Sequence, residues 1–81
     1  MSKKGLDTSS KVGRLIYQMK DTSVRLKPEV RAIVVRVFNT LEADPENPML
    51  RFRLRDDLDK LGRVPQLASL ARLLFKALPS T

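Results

Sequence analysis

The side chains that could do chemistry in this chain are its lysines and arginines. Sixteen of them stand against nine aspartates and glutamates in 81 residues, which gives a formal net charge of +7. Residues 1–20 contain five of these cations and a single acid. Such cations attract polyanions, because each phosphate that a Lys or Arg neutralises releases a condensed counterion. The charge pattern therefore favours a nucleic acid or an acidic protein surface as the partner.

The N-terminal cations form a basic arm followed by a basic helix face. Lys3 and Lys4 lie in a polar N-terminal segment that we expect to be a flexible arm. No acid occurs in residues 8–20, so Lys11 and Arg14 would lie on a purely basic face of a helix there. These four side chains suit contact with a phosphate backbone. A soluble tail beside an ordinary polar helix face is the alternative.

A second group of arginines alternates along the sequence MLRFRLR. Arg53 and Arg55 each precede an aspartate by four residues, and such pairs contribute only about 0.2–0.5 kcal/mol on a helix while neutralising its face. We expect a salt-bridged surface there. Arg51 has no acid four residues away on either side, and next to Phe52 it suits stacking or contact with a partner. For Phe52 itself we favour packing against a neighbouring helix.

The composition excludes several kinds of catalytic and metal site. The chain has no Cys and no His, so it lacks thiolate and imidazole ligands and the usual acid–base residue near neutral pH. Its three glycines are isolated and form no phosphate-cradling loop. We therefore predict a protein that is not an enzyme and that uses no cofactor, no metal and no small-molecule substrate.

The sequence also gives no sign of membrane contact. No stretch approaches the ~20 apolar residues that cross a bilayer, and no apolar run follows the N-terminal lysines. The apolar side of residues 9–20 is only about three turns long and lacks Trp or Phe anchors. A cytoplasmic protein is the expectation.

Apolar periodicity predicts an all-α domain over residues 9–81, preceded by the basic arm at 1–8. Four helices are expected, near residues 9–20, 28–42, 48–61 and 65–78. A serine can cap the first helix, Pro28 suits the first position of the second, and Asn47 can cap the third. Gly62 is a suitable stop for the third helix.

The last predicted helix is apolar over more than half of its circumference. Only Ser69, Arg72 and Lys76 form a polar strip on it. A helix this apolar is buried in the core or at a subunit interface. Since a domain of this size has only a small core, we predict a homodimer with Leu73 and Phe75 at the contact.

The segment 21–27 allows two interpretations. Val24 and Leu26 alternate with polar residues, which is the period of a strand, over very few residues. A short strand at 22–26 and a loop between two helices are both open.

With such a strand, residues 22–61 resemble a ribbon-helix-helix DNA-binding domain. The segment TSVRL-KPEVRAIV is similar to the strand and first helix of that family, and NPMLRFRLRDDLDKL to its second helix. The family's strand pairs with its dimer mate and places alternate side chains in the major groove. The resemblance implies base contacts from Ser23, Arg25 and Lys27, and a phosphate contact at the helix start near Asn47.

The sequence thus predicts a small, dimeric, non-enzymatic DNA-binding regulator of the size common in operon, plasmid or phage control. The alternative is an inhibitor or adaptor that docks on an acidic surface of a larger protein, with Tyr17, Phe52 or the last helix as the apolar anchor. RNA binding is a third interpretation, less favoured because few aromatic residues are present for base stacking.

Overall fold

The computed structural model describes residues 9–79, which form four α-helices and contain no β-strand. The helices are α1 (Lys11–Ser23), α2 (Pro28–Ala43), α3 (Leu50–Leu61) and α4 (Ala68–Ala77). The prediction of a four-helix, all-α domain is confirmed. The predicted arm at 1–8, with Lys3 and Lys4, lies outside the described residues.

Local chemistry explains where the first two helices begin. The Ser10 hydroxyl accepts a hydrogen bond from the Gly13 amide at 3.0 Å, which satisfies one of the free amides in the first turn of α1. Pro28 stands at the start of α2, where its missing N–H costs no hydrogen bond. Glu29 follows it and complements the positive end of the helix dipole.

The ends of α3 differ in detail from the prediction. The Asn47 Oδ1 atom accepts a hydrogen bond from the Met49 amide at 2.7 Å, and the Asn47 carbonyl accepts one from the Leu50 amide at 3.2 Å. Asn47 therefore organises a turn that leads into the helix. Gly62 ends the helix with a right-handed φ of −66°, so glycine is not required there by the sign of φ. A Cβ at this position would lie 3.3 Å from the Leu58 carbonyl oxygen.

The strand considered at residues 22–26 is not formed, because α1 continues into this segment and a turn completes it. The amides of Arg25 and Leu26 donate to carbonyls three residues earlier, at 3.3 and 2.9 Å. Val24 is 66% exposed, whereas Leu26 packs against the core. The alternation of polar and apolar residues thus arises from one surface residue and one core residue in a turn.

The four helices form an antiparallel bundle in which each helix packs against two neighbours. α1 and α3 both lie beside α2 and α4, whereas the backbones of the diagonal pairs do not approach each other closely. The apolar stripes of all four helices meet in one core. Its fully covered residues include Ile16, Met19, Val34, Val37, Leu41, Leu50, Leu61, Leu67 and Leu74. No helix within residues 9–79 is long and apolar enough to span a membrane.

Candidate nucleic-acid interface

Helices α1 and α4 lie side by side and run in opposite directions. Asp21, near the end of α1, lines a groove together with Gln66, which precedes α4. The beginning of α1 therefore lies beside the end of α4. This arrangement brings Lys11 and Arg14 to the end of the bundle that also carries Lys76.

α1 presents an uncompensated basic row to solvent. Lys11, Arg14 and Gln18 are exposed, on the side away from core residues such as Ile16, as the helical spacing predicts. Within residues 9–79, neither Lys11 nor Arg14 makes a side-chain ion pair or hydrogen bond. Both cations are therefore open to an anion from solvent.

α4 carries the predicted polar strip of Ser69, Arg72 and Lys76, and all three residues are exposed. No acid occurs in residues 64–79, so neither cation has an acidic neighbour on its own helix. Neither side chain forms an ion pair within the described part of the chain. The strip is therefore basic along its length.

α3 adds cations where it borders α4. Arg55 and Arg63 line the groove between the two helices together with Arg72. The Arg63 guanidinium forms an ion pair with Asp59 at 3.2 Å, and both side chains are exposed. Exposed pairs of this spacing contribute only about 0.3–0.5 kcal/mol. The Arg55 guanidinium lies 5.9 Å from the centre of the Phe52 ring and has no carboxylate partner among the described residues.

These side chains lie on α4, on α1, and on α3 with the turn that follows it, and α4 is the element between the other two. We call them the α4-centred basic face. It consists of Lys11, Arg14, Arg55, Arg63, Arg72 and Lys76. Asp59 is the acid that lies within it. Most other described acids lie on α2, in the connection after it, or turned toward it: Glu29, Glu42, Asp44, Glu46 and Asp57. Asp21 and Asp56 are also exposed, and Asp21 lines the groove at the opposite end of α1 and α4. The surface around α4 therefore carries more cations than acids, and the surface around α2 carries both.

The acid on the α2 side with the closest contacts is Asp57, which joins α3 to α2. Arg36 donates two hydrogen bonds to its carboxylate, at 2.7 and 2.9 Å. The hydrogen bond from Arg36 lowers the pKa of Asp57 below its usual value, against the opposing effect of partial burial. Asp57 is thus engaged across the helix interface, and the predicted partner on its own helix, Arg53, makes no ion pair within the described residues.

Arg51 contacts the end of α4, and its predicted contact with a nucleic acid or a partner stays a prediction. Its Nε and Nη2 atoms donate to the carbonyls of Phe75 and Lys76, both at 3.1 Å, and its guanidinium lies 5.4 Å from the centre of the Phe75 ring. Carbonyls at a helix C-terminus lack partners within the helix. Arg51 therefore closes the end of α4 and ties it to α3, and these two bonds use two of its five N–H groups.

Arg25 and Lys27 lie at the opposite end of the bundle, in the connection between α1 and α2. Both are exposed and border a groove that includes Val30. They are separated from the first turn of α1 by the length of that helix, about 20 Å. Ser23, the third residue to which the family resemblance assigned a base contact, is 4% exposed and donates its hydroxyl to the Lys20 carbonyl. The structure does not gather these residues with the basic row of α1.

The apolar partner candidates fall into two groups. The Tyr17 ring packs edge-on against Phe38 at 5.4 Å, and Phe75 lies under Arg51, so both rings are engaged within the protein. Phe52 is 67% exposed, so its expected packing against a neighbouring helix is wrong; it lies on the outer side of α3. Leu73 is 47% exposed at the edge of α4. Contact of these side chains with a second copy or another protein stays a prediction.

Comparison with known proteins gives no information about this surface. The chain matches no family model, no curated protein and no solved structure. Within residues 9–79 no cluster of acidic side chains could hold a metal ion. The feature that distinguishes this surface is its charge.

Sequence reasoning missed four members of this face. Arg72 and Lys76 were recognised as a polar strip and not as a binding element, and Arg55 was assigned to a salt-bridged surface. The four-residue spacing of Asp59 and Arg63 likewise predicts an ion pair, which the structure contains. One available signal was the absence of acids from residues 64–79, which matches the absence that marked α1 as basic. The position of α4 between α1 and α3, which joins the three sets, required the structure.

Proposed function

We propose that this protein is a small non-enzymatic DNA-binding regulator that contacts the duplex backbone through the α4-centred basic face. The observation that supports this function is the set of exposed cations on α4 and on the two helices that flank it, three of which line one groove with Asp59. Lys and Arg side chains that neutralise phosphates supply sequence-independent affinity, and they also fix the orientation of a protein on the duplex.

The arrangement of aromatic side chains favours a duplex over a single strand. Proteins that bind single strands stack bases on exposed aromatic rings. In this structure Tyr17 and Phe38 pack on each other, and Phe75 is covered by Arg51. A stacking platform of several rings is therefore not present in the described residues, whereas backbone contacts need only the cations.

The proposal is tested by the salt dependence of binding to a short duplex of mixed sequence. Each phosphate contact contributes about 0.9 to the slope of log affinity against log salt concentration. Replacing Lys11 and Arg14 together with Gln removes two exposed, unpaired cations of the basic face. We expect the slope to fall by about 1.8, with affinity at low salt reduced at least about tenfold.

The matched control is the double replacement of Arg31 and Arg53 with Gln. Both arginines are exposed and unpaired within the described residues, and they lie on the α2 side of the bundle. The change in net charge is the same in the two variants. Equal losses from both would show that only overall charge matters, and the absence of salt-dependent binding by the wild-type protein would overturn the proposal.

A second candidate function is an inhibitor or adaptor that docks on an acidic protein surface. The exposure of Phe52 beside Arg55, and of Leu73 beside Arg72, favours it, because apolar anchors surrounded by charges are typical of protein interfaces. Phe52→Ala separates the two functions, since the DNA-binding proposal expects unchanged duplex affinity. Loss of duplex affinity without loss of fold would show instead that Phe52 contacts the nucleic acid.

The predicted homodimer has to accommodate the same charges. A two-fold symmetric contact places a surface patch against itself. A contact through α4 would bring Arg72 and Lys76 of one copy close to the same residues of the other, on either side of Leu73. Dimerisation through Leu73 and Phe75 therefore requires screening of this repulsion by salt or by a bound polyanion.

A further inference from the structure

The groove between α3 and α4 concentrates the charge of the basic face into a concave site. Its volume is about 330 Å³. Leu58, Ala71 and Phe75 form apolar parts of its lining, and Gly62 leaves one wall without a side chain. Three exposed guanidinium groups, those of Arg55, Arg63 and Arg72, and the carboxylate of Asp59 complete the lining.

The three arginines differ in how firmly they are engaged. Arg55 and Arg72 have no carboxylate partner within residues 9–79. Arg63 is held by Asp59 at 3.2 Å, with 78% of the Arg63 side chain and 64% of the Asp59 side chain exposed. Solvent-exposed pairs of this kind are weak and exchange partners readily. All three guanidinium groups can therefore turn to an anion that enters the groove.

The chemistry of the lining suits a phosphate group. Guanidinium presents parallel N–H donors that match two oxygens of one phosphate, and such charged hydrogen bonds are stronger than neutral ones. The groove has the donors of an anion site on its rim and no second carboxylate to oppose them.

We propose that the α3–α4 groove seats a single backbone phosphate of the bound duplex between Arg55 and Arg72, with Arg63 as a third donor. Asp59 limits the affinity of this seat, because it holds Arg63 and repels the entering phosphate. This assignment rests on the proposed DNA-binding function and adds to it a specific site and an opposing residue.

A double-mutant cycle tests whether two arginines share one phosphate. Arg55→Gln, Arg72→Gln and the double variant are compared for affinity to the short mixed-sequence duplex, with circular dichroism to confirm the fold. A reference cycle pairs Arg72→Gln with Arg31→Gln, on the helix diagonal to α4. Residues that act on one group give non-additive effects, whereas distant, independent residues give additive ones.

We expect each single replacement in the groove to reduce affinity at least about threefold, and the loss in the double variant to fall short of the product. The salt slope of the double variant should drop by about 0.9, the value for one phosphate, although two cations are removed. In the reference cycle the losses should multiply. Multiplying losses for Arg55 and Arg72, with a slope change near 1.8, would overturn the shared seat.

The role of Asp59 is tested by Asp59→Asn against Asp56→Asn. Both aspartates are exposed on α3 and the charge change is identical, but only Asp59 lines the groove. We expect Asp59→Asn to raise duplex affinity at least about threefold more than Asp56→Asn does. If the two variants gained the same duplex affinity, net charge alone would explain the effect, and the proposed role of Asp59 in the groove would be overturned.

The outcomes separate the two proposals. Wild-type protein that does not bind the duplex contradicts the DNA-binding function and, with it, the phosphate seat. Wild-type protein that binds with a steep salt slope, while Arg72→Gln costs no more than Arg53→Gln, contradicts the seat alone. Arg53 is the control for this comparison because it lies on α3 but turns toward α2.

Discussion

Two of the best-defined polar contacts of this domain involve one residue each from different helices. Arg36 and Asp57 join α2 to α3, and Arg51 joins α3 to the end of α4. In the first pair the carboxylate is largely covered, with its side chain 14% exposed, while the arginine remains mostly in solvent. These contacts hold α3 against both of its neighbours, so they fix which of its arginines face α4.

The lowered pKa of Asp57 predicts a loss of stability in acid. A carboxyl group whose pKa is lower in the folded than in the unfolded state stabilises the fold fully above its unfolded value, and this contribution disappears as the pH falls through the folded value. The pKa of Asp57 in the folded protein lies below the usual value of an aspartate side chain. We expect wild type to exceed Asp57→Asn in free energy of unfolding near neutral pH, and the gap to shrink below about pH 4.

Chemical denaturation of both proteins across this pH range measures the gap. Asp56→Asn is the control, because Asp56 is exposed and makes no ion pair among the described residues. Its gap to wild type should vary little with pH. A constant difference between wild type and Asp57→Asn would show that Arg36 does not stabilise the carboxylate form.

At the scale of elements, the sequence predicted a helix correctly where a capping residue and an apolar periodicity indicated the same boundary. α2 begins at Pro28 as predicted and ends one residue beyond the predicted boundary. The segment 21–27 stayed open between a strand and a loop because its alternation is the same for a strand and for a turn with one core residue, Leu26. Only packing against the rest of the domain distinguishes a strand from a turn here, and seven residues alone do not specify that packing.

Part of the candidate site could be predicted from the sequence and part of it could not. The basic row of α1 required only its own sequence, since no acid accompanies Lys11 and Arg14. The different surroundings of Arg53 and Arg55 depend on which neighbour each side of α3 meets, and the partner of Asp57 proved to be on α2. Spacing along one helix cannot decide between a partner four residues away and one on another helix.

The contact of Arg51 with α4 predicts local unfolding when it is removed. Hydrogen bonds that involve a charged group contribute about 1.5–3 kcal/mol in protected positions and less near solvent. We expect Arg51→Ala to destabilise the domain by about 1–2 kcal/mol and to accelerate amide exchange in the last turn of α4. Arg53→Ala should do neither, because Arg53 makes no ion pair or hydrogen bond within residues 9–79. Unchanged exchange near Leu78 in Arg51→Ala would contradict the proposed closure of the helix end.

At the scale of the whole molecule, the order of the helices determines the charge distribution. α4 has no acid and lies between α1, which is basic on its outer row, and the arginine-bearing flank of α3. On the far side, α2 and the connection after it carry four of the eight described acids. A net charge of +7 would favour polyanions in any arrangement, but this arrangement gives the attraction a direction.

The most direct measurement is the map of backbone amide shifts in the ¹⁵N-labelled protein on titration with a short mixed-sequence duplex at low salt. We predict that the largest changes fall in the first half of α1, along α4, around Arg55 on α3, and around Arg63 in the turn after α3. The amides of α2 around Arg31 and Arg36 should change least. Changes centred on α2 or on the α1–α2 connection at Arg25, or no changes at all, would contradict DNA binding through the α4-centred basic face.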